Sequence, residues 1–276
     1  MTITCRSDAL LAGISQVARA IAAQNTVETL NYIYMIINYE AETLTLRGYN
    51  LTVGIESTVP ITVSAVQETQ SLLVLLKTLQ DIIRKFDHEQ VAFTCDETQT
   101  LLLTSDRFSF TLRGRSCDDY PLFPVLDKGI SFFVNHQAFC HSIQQVLVAV
   151  SADDTRKTLT GVNLLCRNNT LEAVAADGFR LAVQAYTGDS DLPDFSVIIP
   201  AKSLQEYTKL VKSQADTLAT VTLTDHQVQF TVLDTTLITR VIQGEFPDHQ
   251  RMIPVDNAYK IKVSRRQLLA ACERAV

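Results

Sequence analysis

The chain of 276 residues contains no tryptophan, 9 glycines and 7 prolines, and no apolar run long enough to cross a bilayer as a helix. So little Gly and Pro excludes a collagen-like or low-complexity chain, and 46% hydrophobic residues with 20% charged ones suit a chain that folds compactly. Positive charge is also in short supply: 24 Lys and Arg stand against 30 Asp and Glu, a formal net charge of −6. That disfavours a nucleic-acid binder driven by bulk charge and leaves only local basic patches.

The six cysteines, Cys5, Cys95, Cys117, Cys140, Cys166 and Cys272, show no C-x-x-C spacing. The N-terminal Met-Thr-Ile-Thr-Cys-Arg lacks the basic, apolar, small-residue order of a secretory signal. A cytoplasmic protein with reduced thiols, several of them small core residues, is the expectation, with no metal or cofactor. Signatures of catalysis are missing too: there is no H-E-x-x-H, G-x-S-x-G or Walker-type phosphate loop. Asp118-Asp119, Asp153-Asp154 and Asp177 fall in expected loops, where turn capping accounts for them, and no motif joins them to His88, His136, His141, His226 or His249. An enzyme is therefore not expected.

What the sequence does contain is a repeat. Ile3–Val17 (ITCRSDALLAGISQV) resembles Phe132–Val146 (FFVNHQAFCHSIQQV) and Ile261–Ala275 (IKVSRRQLLAACERA), and Cys5, Val134 and Val263 recur at a constant spacing of 129 residues. A period of this length fixes the architecture before any element is assigned. Each copy reads as a short strand leading into an amphipathic helix. Leu10, Ile14, Val17 and Ile21 recur as Phe139, Ile143, Val146 and Val150, which is helical spacing. Asn135 and Ser264 stand at N-cap positions, and Gln267 completes a capping box with Ser264.

A second helix follows in each copy, expected over Leu72–Phe86 and Ala201–Ser213, with Leu79, Ile82 and Phe86 matched to Leu204, Tyr207 and Val211 at an offset of 125. Tyr120-Pro121 matches Phe246-Pro247, and Gly48–Leu51 matches Gly178–Leu181 at an offset of 130, each inside a turn. Between the helices lie alternating runs at 42–47, 51–56, 91–94, 100–104, 219–224 and 227–232, which read as half-buried antiparallel strands. The fold class is α+β: repeated units, each with two helices packed on antiparallel sheets. The expected domains are 1–128, 129–255 and an incomplete third copy at 256–276, begun by a strand at Tyr259–Val263 and a helix.

These residues carry a family resemblance. Ala175–Val183 (AADGFRLAV), Gly244–Pro254 (GEFPDHQRMIP) and Ala149–Val162 (AVSADDTRKTLTGV) resemble, in order, motifs of the bacterial sliding clamps, the DNA polymerase III beta subunits. The resemblance implies three domains per subunit and a head-to-tail homodimer forming a ring around double-stranded DNA. It implies a non-catalytic processivity factor that tethers the polymerase III catalytic subunit, the clamp loader and repair polymerases through short peptides.

The same resemblance assigns a peptide cleft to Leu159, Ala176, Gly178, Phe179, Arg180, Leu181, Pro247, Arg251 and Met252. Leu159, Leu181, Pro247 and Met252 would form apolar walls, and Arg180 and Arg251 would bond peptide carbonyls or a carboxylate. Ala176 and Phe179 replace the usual Thr and the usual His or Tyr, making a greasier pocket. Cations on or near the helices, Arg19, Lys77, Arg84, Lys85, Lys202, Lys209 and Lys212, with Arg156 and Lys157 from a loop, are the candidate DNA-facing groups. A competing reading is a clamp-derived adaptor that binds partner peptides without encircling DNA.

Overall fold

The computed structural model describes residues 2–21, 27–86, 90–96, 98–105, 108–126, 128–187, 192–210, 217–254 and 256–275. They fall into two compact units, Met1–Phe246 and Pro247–Val276.

The larger unit contains two copies of one arrangement. The first runs β1 (Ile3–Arg6), α1 (Ser7–Val17), β2 (Tyr32–Asn38), β3 (Thr43–Tyr49), β4 (Val53–Pro60), the two-residue β5 (Thr62–Val63), β6 (Gln70–Leu75), α2 (Leu76–Ile83), β7 (Gln90–Cys95), β8 (Thr100–Thr104) and β9 (Ser109–Arg113). The second runs β10 (Ile130–Asn135), α3 (His136–Val146), β11 (Gly161–Arg167), β12 (Thr170–Ala176), β13 (Leu181–Thr187), β14 (Phe195–Pro200), α4 (Ala201–Tyr207), β15 (Leu218–Leu223), β16 (Gln227–Val232) and β17 (Thr235–Arg240). Apart from β5 the order is the same, and the expected α+β class holds. The helices α1 and α3 keep the 129-residue spacing at both ends.

The spacing of apolar residues explains the packing. Leu10, Ile14 and Val17 of α1 and Phe139, Ile143 and Val146 of α3 are all buried, as are Leu79 and Ile82 of α2 and Leu204 and Tyr207 of α4. Each such side chain contributes about 1.5–3 kcal/mol by leaving water. The strands alternate, so β2, β3 and β16 each bury every second side chain against the helices. Asn135 caps α3 as expected, its side chain accepting the Ala138 N–H at 3.0 Å. Cys5, Cys140 and Cys166 are buried as core residues, and burial pushes the Cys5 and Cys140 thiols up to about 12.

Three sheets result among the described residues. One runs β5-β1-β7-β8-β9, one β13-β12-β11-β14, and the third is eight strands long in the order β10-β15-β16-β17-β4-β3-β2-β6. The long sheet crosses from one copy to the other where β17 pairs antiparallel with β4, Thr235 opposite Ser57 and Thr239 opposite Val53. Above this joint, Gln16 of α1 accepts the Ser57 hydroxyl at 2.9 Å and also the Thr235 hydroxyl, satisfying buried polar groups from both copies. In the first copy Tyr120 and Phe123 fold over the outer sheet face, where Tyr120 packs edge-on to Tyr34 and Phe123 edge-on to Tyr49.

Several expectations need correction. The second helix begins at Leu76 and not Leu72, because Leu72–Leu75 belongs to β6, a buried strand that pairs with β2. A short apolar run of this kind has no periodicity to separate strand from helix. Helix α4 ends at Tyr207, and residues 211–213 lie outside those described. The matched turns are out of register: β3 and β12 start and end 127 residues apart, so the counterpart of Gly178 is Leu51 and not Gly48. Gly48 lies within β3, where a Cβ would meet the Val17 carbonyl oxygen at 2.3 Å. Asp127 and Val255, within the two expected domain boundaries, lie outside the described residues.

The smaller unit holds a short 3-10 turn at His249–Met252 and α5 (Arg265–Ala275), directly after Ser264 as expected. Tyr259–Val263 is not a strand: none of its backbone groups joins a ladder among the described residues, and its side chains are exposed.

A candidate partner pocket and a set of exposed cations

In the larger unit, the turn between β12 and β13 is built by Asp177. Its Oδ1 accepts the Phe179 and Arg180 backbone N–H groups at 2.9 and 3.0 Å, and its Oδ2 accepts the Arg180 guanidinium at 2.8 Å. These bonds hold the Asp177 carboxyl below the usual carboxylate range, the Phe179 backbone bond being the largest cause. Gly178 sits at φ +92°, where a Cβ is disfavoured. The turn consequently lifts Phe179 into full exposure, with a relative accessibility of 101%.

Across from it lies the 151–160 segment. Ser151 donates its N–H to the Leu159 carbonyl at 3.0 Å, and its hydroxyl accepts the Asp153 N–H at 3.0 Å. Asp153 accepts both the N–H and the hydroxyl of Thr155, at 2.9 and 2.8 Å, which lowers its carboxyl pKa. Both acids therefore organise turns. Asp118 does likewise, accepting the Ser116 hydroxyl at 2.6 Å. Between the two segments opens a cavity of about 690 Å³, lined by Val150–Asp153, Thr155 and Arg156 on one side and Asp177–Arg180 on the other.

Of the residues assigned to the cleft, Gly178, Phe179 and Arg180 line this cavity. Leu159 and Ala176 are buried beneath, and Leu181 is half-buried at the start of β13. The walls are accordingly more polar than expected, with Phe179 and Val150 as the large apolar side chains. Pro247, Arg251 and Met252 belong to the smaller unit: all three are exposed, and Arg251 pairs with Asp248 at 3.1 Å. The sequence reading overlooked Val150, Ser151 and Ala152 as wall residues. It assigned Asp177 to turn capping, which the structure shows, but did not connect that turn to the site. A second cavity of about 930 Å³, between the start of β10, β14 and residues 241–246, had no signal in the sequence.

The candidate DNA-facing cations divide into two groups. Lys77 and Lys202 each occupy the second position of their helices, α2 and α4, and are exposed, as are Arg156 and Lys157. The others have neighbours. Arg19 and Lys209 both reach Glu206, Arg84 lies 3.8 Å from Asp81, and Lys85 sits 5.6 Å from the centre of the Phe110 ring. Lys212 lies outside the described residues. Among the described residues no group of three His, Cys, Asp or Glu side chains is placed to hold a metal ion.

Comparison with known proteins identifies this scaffold. Residues 1–124 match the model of the N-terminal domain of the DNA polymerase III beta subunit, and residues 133–248 match that of its central domain. The chain belongs to the bacterial beta sliding clamps. It is 28% identical to the beta sliding clamp of Synechocystis over 293 residues, covering 99% of this chain and 74% of that one. Identity to the beta sliding clamp of Staphylococcus aureus is 29% over 280 residues, covering 100% of this chain and 74% of that one.

Among solved structures, the sliding clamp of Bacillus subtilis superimposes with a TM-score of 0.91 at 26% identity, covering 100% of this chain and 73% of that one. A sliding clamp of Pseudomonas aeruginosa, solved bound to griselimycin, gives 0.88 at 25%, covering 99% and 73%. This clamp chain thus spans about three quarters of the length of its relatives. Its function is that of a DNA sliding clamp, which is not an enzyme, and the adaptor reading is not favoured.

Proposed function

We propose that this clamp chain stays on duplex DNA by enclosure, as an accessory subunit of DNA polymerase III in the cytoplasm. It tethers the catalytic subunit, the clamp loader and repair polymerases through short peptides. The observation that carries the reading is the joint at which β17 of one copy pairs with β4 of the other. The counterpart of β17 in the first copy is β9, and the counterpart of β4 in the second is β13. Each ends its sheet among the described residues. Repeating one joint with one rotation gives heterologous packing, which closes into a ring when the rotation divides a full turn. A head-to-tail homodimer, with the domain division 1–128, 129–255 and 256–276, is part of this reading.

A net charge of −6 fits such a device. Each phosphate neutralised adds only about −0.9 to the slope of log K against log salt, so a few cations give weak, sliding contact and enclosure supplies retention. Partners engage the pocket beside Asp177–Arg180. Burying two apolar anchors gives roughly 3–6 kcal/mol before the costs of association, short of the roughly 8 kcal/mol of micromolar binding, so hydrogen bonds to the peptide must supply the rest of an exchangeable, micromolar affinity.

The test is retention of the full chain, loaded on nicked circular DNA, before and after the circle is linearised. Slow release from circles and rapid loss from linear DNA are expected. Equal release from both forms would overturn encirclement. Within the larger unit, Phe179→Ala should weaken capture of a polymerase-derived peptide by roughly tenfold, the loss of about 1.4 kcal/mol of anchor burial.

A further inference from the structure

Two of the cations assigned to DNA are already engaged by one carboxylate. Glu206, on α4 of the second copy, receives Arg19 of the first copy at 3.2 Å through Oε2 and Lys209 at 3.2 Å through Oε1. The two cations come from opposite sides of the β17–β4 joint, and Arg19 and Glu206 stand 187 residues apart in sequence. The side chains of Arg19 and Glu206 retain 34% and 28% of their accessibility, so the pair is partly solvated and contributes little to folding. Its main consequence is electrostatic: two groups able to meet phosphates are neutralised in place.

The first copy carries a looser version of the same device. Asp81 and Arg84 are the counterparts of Glu206 and Lys209, and in both copies the acid precedes the cation by three residues. Asp81 and Arg84 are 3.8 Å apart and each 57% exposed, and no cation from the other copy joins them among the described residues.

We propose that Glu206 limits the grip of this protein on DNA, a role that rests on the clamp reading and deepens it. A phosphate reaching Arg19 or Lys209 must compete with a carboxylate already in contact. Those cations therefore release fewer counterions on binding than free ones. Sliding requires such weakness, because every full phosphate contact is a barrier to the next step along the duplex. Through its two oxygens Glu206 holds both cations in reserve, one from each copy.

The experiment compares the full chain with its Glu206→Gln variant, titrating a fluorescent linear duplex by anisotropy from about 50 to 200 mM salt. Freeing both cations should steepen the log K against log salt slope by up to about 2, near 0.9 for each. The loss of affinity across that salt range then grows roughly 3–4-fold per freed cation. Adding Arg19→Gln in the Glu206→Gln background should take back about one contact. Glu68→Gln, at an exposed loop residue, changes the net charge equally and should not steepen the slope. If Glu206→Gln fails to fold, Glu206→Asp decides the matter: its shorter reach cannot serve both cations, and an intermediate slope is expected.

A Glu206 variant whose slope matches that of Glu68→Gln, while the parent binds DNA in a salt-dependent way, overturns this proposal and leaves the clamp reading standing. A parent that shows no salt-dependent binding also overturns this proposal, since no phosphate contact is then left for Glu206 to limit, while the clamp reading is decided separately by retention on circular DNA.

Discussion

The two copies in the larger unit share an element order, yet they make the corresponding turn by different chemistry. In the first copy Asn50 accepts the Thr52 and Val53 N–H groups at 3.1 and 2.8 Å, and Leu51 occupies φ +70°. In the second, Asp177 does the bonding and Gly178 takes the left-handed position. Both turns line cavities: Asn50, Thr52 and Val53 border one of about 700 Å³ together with Val150–Ala152 and Lys202 of the second copy, whereas Asp177, Gly178, Phe179 and Arg180 make one wall of the cavity of about 690 Å³. The outer face differs as well, since Tyr120 and Phe123 cover it in the first copy. One scaffold thus carries either a neutral amide with a leucine or a carboxylate with a glycine and a fully exposed Phe179, and the second set lines the pocket proposed for partners.

The comparison is tested most severely in the cores. Ile14 and Ile143 are equivalent, and both are fully buried. Ile14→Ala and Ile143→Ala should each cost about 2–5 kcal/mol in urea unfolding. A large difference between them would mean that the two helices do not bear equal weight.

A smaller effect is expected at the helix starts. Asn135 caps α3 with its side chain, while Arg6, in the same place before α1, makes no side-chain cap. Asn135→Ala should therefore lose about 0.5–2 kcal/mol, and Arg6→Asn should gain up to about 1 kcal/mol, read from the midpoint of thermal unfolding.

The finest distinction is pH. The carboxyl pKa of Asp177 is depressed in the folded chain, so its contribution is complete above the unfolded value near 3.9 and fades as pH falls through the lower folded value. The bonds made by Asn50 carry no such dependence. Amide exchange at Phe179 and Arg180 should accelerate below about pH 4 relative to exchange at Thr52 and Val53, and Asp177→Asn should abolish the difference. Equal behaviour of the two turns in the parent would remove the chemical contrast drawn between them.

Much of this fold was legible in the sequence. The 129-residue period located α1 and α3, and the i, i+3, i+4 pattern named their buried faces, because both signals are local and repeated. Strands at 100–104 and 227–232 followed from plain alternation. Two of the failures share one cause, a residue type that serves two purposes. Leu72–Leu75 is apolar enough for either helix or strand, and only pairing with β2 decides between them. Glycine suggested that Gly48 matches Gly178, yet Gly48 is glycine because Val17 approaches it closely, and Leu51 supplies the positive φ.

The candidate site was legible only in part, for a related reason. The residues at 178–180 carry a local motif, but the opposing wall at 150–156 is brought to them by the fold. The contact between Arg19 and Glu206 has no local signature at all, since the pairing of β17 with β4 creates it.

That pairing has a mechanical consequence. Five matched residues from Thr235 to Thr239 lie against Val53 to Ser57, so the seam between the halves is made of the same backbone ladder as the interior of each. A tensile load applied across the halves is borne by this ladder, and the connecting segment can remain slack. Any assembly extended by further seams of this kind would yield first wherever the seam joins separate molecules, because there the ends have no covalent leash to bring them back into register.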